Sequence, residues 1–192
     1  QASGTSAKAS GNYSTASGYQ STASGIGSQA FGTNTTASGS FSQASGFRAN
    51  ASGLAAIALG ESSNASGRRS QALGPGSTAS ANYSQASGYA AKASGKNSLA
   101  MGTFAKASGE SSIALGDDAT AKGNTAVAVG GEAQATKKNS LALGRGAVAT
   151  GLNSTAMGAN ANAAFANSTA IGGGSKTSRA NQMVLGRSDT EV

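Results

Sequence analysis

The chain contains no cysteine, no histidine and no tryptophan, a single proline, and only 5% aromatic residues. Each shortage excludes something. Without cysteine there is no disulfide framework, and the redox compartment cannot be read from the sequence. Without histidine and cysteine, the usual general bases, activated nucleophiles and soft metal ligands are missing. Carboxylates number only seven. The closest pair, Asp117-Asp118, falls in an expected turn, where aspartate is ordinary. No apolar run approaches the ~20 residues of a membrane helix, and no signal peptide opens the chain. Gln1 begins inside a repeat, as expected of a piece of a longer protein. No metal site, cofactor or catalytic centre is expected.

What is abundant is glycine, at 29 residues, and it is periodic. From Gly4 to Gly186, every seventh residue is glycine at 23 of 27 register positions. Two residues before each position stands alanine, unbroken from Ala2 to Ala170. A period this strict is the architecture. Leu, Ile, Val and Phe total 23 of 192 residues with a net charge of +7, a composition that alone would suggest disorder. Low-complexity disorder does not hold register over so many words.

A coiled coil fails on energy. Glycine in a helix interior costs about 1 kcal/mol relative to alanine. So many of them would exceed the roughly 5–15 kcal/mol net stability of a domain. The five-residue word small-x-Ala-x-Gly instead alternates with period two, which marks a short strand. The two residues that follow complete a turn, and glycine at the strand end permits a positive φ. The chain therefore reads as five-residue strands joined by two-residue turns, two strands per coil. Stacked coils make an all-β parallel β-roll whose interior accepts only Ala, Ser and Gly.

The true repeat is fourteen residues. Numbering each word 0 to 4 with glycine last, positions 1 and 3 point out of the roll. The apolar residues at these positions all fall on every second word: Ile57/Leu59, Leu99/Met101, Ile113/Leu115, Val127/Val129, Leu141/Leu143 and Met183/Leu185, with Phe31, Leu73, Met157 and Ile171 as single members. Intervening words carry Lys8/Ser10, Thr22/Ser24 or Lys106/Ser108 there, with Val148 the main exception. A continuous apolar stripe outside the roll marks an interface, expected to be buried against copies of the same chain around a common axis.

Words such as Asn97-Ser-Leu-Ala-Met-Gly102 and Asn139-Ser-Leu-Ala-Leu-Gly144, alternating with Ala-x-Ala-Ser-Gly words, resemble the head repeats of YadA-like trimeric autotransporter adhesins. The resemblance covers essentially the whole chain. It implies a left-handed roll, a parallel homotrimer, and display on the outer surface of a Gram-negative bacterium. It also implies attachment to host extracellular matrix proteins or cell-surface glycans, and a membrane reached only through a C-terminal anchor outside this segment. Residues 1–171 are expected to form the head repeats, and 172–192 the last coil and the start of a neck.

Three stretches depart from monotony, with aromatics in both turns flanking a polar word: Tyr13 and Tyr19, Phe41 and Phe47, Tyr83 and Tyr89. They are expected to pack laterally between subunits or to contact a ligand. Basic residues outnumber acidic ones 14 to 7. Arg48, Arg68, Arg69, Lys92, Lys96 and Lys106 are candidates for attracting polyanions such as sulfated glycans. No nucleic-acid reading motif accompanies them. Calcium rolls need an aspartate in each repeat, which is lacking, and Gly144-Arg-Gly146 has no strand–helix context for a phosphate loop. An ice-binding solenoid would want unbroken threonine arrays, but Lys8, Asn50, Asn64 and Lys92 interrupt Thr22, Thr36, Thr78 and Thr120; a structural spacer is the other alternative.

Glycine fails only at Ala81, Lys137, Phe165 and Arg179, all in polar words. Close approach of subunits is expected to forbid a Cβ in the apolar words. Phe165 does not fit an alanine-sized gap, so a local distortion is expected near 163–167.

Overall fold

The computed structural model describes residues 1–186; residues 187–192, the end of the expected neck, lie outside the described residues. The chain divides into two units, 1–97 and 98–192. In the first unit, seven strands from Ala2–Ser3 to Gln85–Ser87 come from the apolar-class words and form one sheet. Seven strands from Lys8–Ala9 to Lys92–Ala93 come from the polar words and form a second. The second unit repeats the scheme, with seven strands from Leu99–Met101 to Met183–Leu185 facing five from Lys106–Ala107 to Asn162–Ala163. Pairing is parallel and shifts by fourteen residues at every step, as in Ile57↔Gln71 and Asn64↔Thr78. The fold is an all-β parallel β-solenoid, with no helix among the described residues.

The core is alanine and serine. Position 2 alanines from Ala16 to Ala170 are fully or almost fully buried, with position 0 serines or alanines beside them. So small an interior removes little apolar area from water. The continuous backbone ladder and the stacking of each coil on its neighbours therefore carry the stability.

Turns join the ladder too. Most close with a bond such as Ser14 N–H to Gly11 carbonyl, 3.1 Å. The second turn residue adopts a positive φ, from Ser6 at +59° to Asn181 at +56°. That conformation lets its amide donate to the preceding coil, as Phe41 does to Ile26 at 2.7 Å and Asn34 to Tyr19 at 2.9 Å. A left-handed conformation costs an L-residue about 1–2 kcal/mol, and the ladder bond offsets it. Asparagine, which tolerates this region, holds seven of these positions. Four in the second unit form a ladder of three bonds along the coils, Asn139 donating to Asn153 (2.9 Å), Asn153 to Asn167 (3.0 Å) and Asn167 to Asn181 (3.0 Å).

Several expectations need correcting. Hydrogen-bonded strands are three residues long in the first sheet, apart from Ala2–Ser3, and two in the second, shorter than the five-residue words. Positive φ at the word-ending glycine belongs to one class alone. First-sheet glycines from Gly4 to Gly172 lie at φ +113° to +132°. Second-sheet glycines such as Gly25, Gly39 and Gly67 have no positive φ and are buried. Backbone conformation within one chain thus accounts for the invariance of the first class, without any approach of subunits. The expected distortion at 163–167 is absent: Asn162 and Ala163 pair in register with Val148 and Ala149, and Ser168 N–H closes the turn onto Phe165 carbonyl at 3.3 Å. Phe165 avoids the interior by pointing outward, 41% exposed. At Arg179 the neighbouring position 0 is Gln182, whose Oε1 accepts the Ser178 amide at 2.6 Å and the Arg179 amide at 3.2 Å. The second-sheet pairing ends at an isolated bridge, Asn162↔Lys176.

Interior hydroxyls fall into two groups. Ser70 Oγ donates to Gly67 carbonyl at 2.7 Å and Ser84 Oγ to Ala81 carbonyl at 2.7 Å. Ser14, Ser28 and Ser42 hydroxyls are buried without a partner. An unpaired buried hydroxyl destabilises, whereas a paired one contributes about 1 kcal/mol. Ser28→Ala is therefore expected to be neutral or stabilising and Ser70→Ala to cost about 1 kcal/mol. Urea unfolding followed by circular dichroism checks this; equal losses would contradict the distinction.

Candidate functional site

Each sheet has one face on the alanine core and one facing away. On the first sheet, strand alternation places the word's positions 1 and 3 on the outer face. None of the sixteen apolar residues expected at an interface is buried: Phe31, Leu59, Met101, Met157, Ile171, Met183 and Leu185 are exposed, and the other nine are half-buried by neighbouring coils. In-register pairing lines them up coil on coil. In the second unit Leu99, Ile113, Val127 and Leu141 form one column, and Met101, Leu115, Val129 and Leu143 the other. Such a stripe has no polar function of its own and no cover within the chain.

The first unit differs. Its matching columns are mixed, with Thr15, Gln29, Gln43, Ile57, Gln71 and Gln85 in one and Ser17, Phe31, Ser45, Leu59, Leu73 and Ser87 in the other. The second sheet is polar on its outer face in both units apart from Val148, carrying Lys8, Thr22, Thr36 and Asn50 at successive coils, with Asn50 Nδ2 donating to Asn64 Oδ1 at 3.1 Å.

Turns alternate between two edges of the roll. Those entering a first-sheet strand form a leading edge, and those leaving it form a trailing edge. Tyr13, Phe41 and Tyr83 stand on the leading edge, and Tyr19, Phe47 and Tyr89 on the trailing edge. All six rings are exposed, Tyr13 most of all at 93%. The structure therefore does not gather each aromatic pair on one side of the chain: the two rings flank the polar strand from opposite edges. Arg48 lays its guanidinium 4.8 Å from the Phe47 ring centre, a cation–π contact.

The basic candidates separate as well. Arg68, Arg69 and Lys96 lie on the leading edge of the first unit, Arg48 on its trailing edge, and Lys92 on its second sheet. Lys106 belongs to the second sheet of the second unit, where its ammonium lies 3.6 Å from Asp118. No single basic face brings the six together. Exposed Arg145 and Glu132 approach to 3.9 Å, a weak surface pair. Open hollows occur at trailing-edge turns, one of ≈ 260 Å³ beside Glu61, Pro75 and Tyr89 and one of ≈ 510 Å³ beside Asn160, Gly173, Gly174 and Lys176. Among the described residues no group of three His, Cys, Asp or Glu could hold a metal ion.

These features define a repetitive binding or assembly scaffold with one apolar outer face. The family model for the YadA head domain repeat matches in overlapping copies over residues 2–42, 51–147 and 149–175. The chain belongs to this family, in which fourteen-residue coils build the head of a bacterial adhesin. Among solved structures it is similar to the collagen-binding domain of the Yersinia adhesin YadA, at 27% identity over 88% of this chain and 71% of that one, with a TM-score of 0.36. No curated protein matches the chain.

Proposed function

We propose that this chain is the head segment of a bacterial surface adhesin, assembled as a parallel homotrimer and attaching its cell to host extracellular matrix proteins or cell-surface glycans. The observation that carries the assembly is the first sheet, whose apolar columns face outward with no cover. Membership of the YadA head family supports the adhesin role, and the absence of histidine and cysteine favours binding over catalysis. In this reading the three first sheets meet on the axis, and the polar second sheets and the turns face outward. The anchor to the outer membrane would lie in a segment beyond this one.

Binding of the purified protein to an immobilised panel of collagens, other matrix proteins and sulfated glycans tests the reading. Saturable binding to at least one of them is expected. If a glycan binds, retention is expected to fall steeply with salt, since summed positive potential is screened over about 10 Å at 0.1 M ionic strength. No binding across the panel, by protein of confirmed trimeric mass, would favour a spacer role.

A further inference from the structure

The chain's only proline and the first unit's only carboxylate line the same hollow. Glu61 and Pro75 open successive trailing-edge turns, and Tyr89 opens the next. With Ser62, Gly76 and Ala90 they enclose the open hollow of ≈ 260 Å³. The first residue of each turn brings the larger side chain, and the second is small in all three. Neither backbone nor packing requires glycine at Gly76. Its φ is +66°, and Ser62 (+54°) and Ala90 (+53°) hold the same conformation one coil to either side. A Cβ on Gly76 would stand 3.8 Å from the Ala90 Cα, an ordinary contact. What glycine does here is leave the hollow empty.

The ladder holds the hollow in shape. Gly76 N–H donates to the Glu61 carbonyl at 2.8 Å, and Ala90 N–H donates to the Pro75 carbonyl at 2.9 Å. The ring of Pro75 fixes its own φ and stiffens the turn further. A site formed in advance loses little freedom on binding.

Glu61 is exposed, and its carboxylate forms no ion pair among the described residues, although the first unit also holds Lys8, Arg48, Arg68, Arg69, Lys92 and Lys96. Arg48, one coil earlier, lays its guanidinium on the Phe47 ring instead. Arg68, Arg69 and Lys96 stand on the leading edge, a five-residue word away, about 16 Å at the rise of a strand. Lys92 leaves the turn at Ala90 on the second sheet, two coils or roughly 10 Å from Glu61 along the axis. These separations exceed the screening length of about 8 Å at physiological ionic strength. The hollow therefore keeps a local negative sign within a basic unit.

We propose that this hollow takes one lysine or arginine side chain of a protein partner, its aliphatic stem over Tyr89 and Pro75 and its cationic head against Glu61. The inference rests on the adhesin reading for the source of that partner. The stem covers apolar surface while the head stays wet. The carboxylate gives a charge-assisted hydrogen bond, and the Tyr89 ring, 56% exposed, offers a face to the cation. The volume lies below the roughly 300–1,000 Å³ of small-molecule pockets and suits a single side chain.

Of the four tyrosines only Tyr89 lines the hollow, so fluorine NMR of the fluorotyrosine-labelled protein reads it directly, with Tyr89→Phe assigning its resonance. N-acetyl-lysine methylamide is expected to move the Tyr89 resonance saturably and the other three little. The norleucine analogue keeps the stem, lacks the ammonium, and should not. Glu61→Gln should weaken the lysine response at least about threefold. Gly76→Gln should abolish it while the circular dichroism stays native, since Gln20 holds the equivalent turn position at φ +54°. No shift with lysine, or an equal response from the norleucine analogue or from Glu61→Gln, would overturn the proposal. A Tyr89 resonance that answers to protein dilution and not to lysine would place a second copy in the hollow and overturn it too. Binding to the matrix panel by a chain whose Tyr89 ignores lysine refutes the hollow alone. A lysine response without any panel binding supports the hollow and refutes the adhesin reading alone.

Discussion

Gly116→Ala is expected to destabilise the protein by about 3–5 kcal/mol, combining backbone strain with overpacking. Gly116 lies at φ +132°, and an added Cβ would stand 2.6 Å from the carbonyl carbon and oxygen of Gly130 in the next coil. Both atoms are backbone, held by the ladder, and neither can swing aside. Gly39→Ala is the matched control. Its Cβ would meet the Gly53 carbonyl more closely still, but its φ is not positive, so the coil can relax around the methyl without holding an L-residue in a left-handed conformation. The native chain places Ala81, Lys137 and Phe165 at this second-sheet class of position, and the strand before Phe165 still pairs in register with the preceding coil. A smaller loss, about 1–2 kcal/mol, is expected there. Chemical unfolding of both variants at one fixed concentration distinguishes them, since assembly makes stability concentration-dependent. Equal losses would contradict the two-class account of the glycines.

The second large effect concerns the uncovered face. Leu115→Lys sets a charge in the column of Met101, Leu115, Val129 and Leu143. With three copies around an axis, three ammonium groups converge where no acidic residue is available. Breaking a buried arrangement in this way costs about 3–5 kcal/mol per uncompensated charge, enough to abolish assembly at micromolar concentration. Thr120→Lys, on the polar face of the second sheet, should leave the mass unchanged. Circular dichroism of Leu115→Lys should still show β-structure if the roll folds before it assembles. Sedimentation velocity reads both variants. An unchanged sedimentation coefficient for Leu115→Lys would remove the assembly role of that face.

Much of this was legible in the sequence because a solenoid writes its geometry locally. Alternation within a word tells inward from outward, so the alanine core and the outward path of Ile113 and Leu115 follow directly. The odd–even difference between words separates the two sheets. Backbone dihedrals are not written this way. Gly25 and Gly18 are the same letter in the same register, yet only Gly18 has a positive φ, +130°. The signal in the sequence is the set of exceptions, all in one class, and the backbone dihedral within one chain suffices to explain it. Phe165 is hard to place from the sequence for a related reason: strand alternation alone puts position 4 inward, whereas the Phe165 ring reaches solvent.

The edges were legible in principle. Sorting the turn residues by parity puts Arg68, Arg69, Lys96, Lys138 and Glu110 on one edge and Glu61, Asp117, Asp118, Glu132, Arg48 and Arg145 on the other. Grouping Arg48 and Lys106 with Arg68 joined residues that the fold places on different surfaces. The unpaired hydroxyls of Ser14, Ser28 and Ser42 had no sequence signal, since Ser70 and Ser84 occupy the same word position and are paired.

The central claim is that the outward apolar columns are the inner wall of an assembly. Multi-angle light scattering on the purified protein at micromolar concentration tests it most directly. The account predicts three times the chain mass of 18.2 kDa. A single species at 18.2 kDa would contradict it.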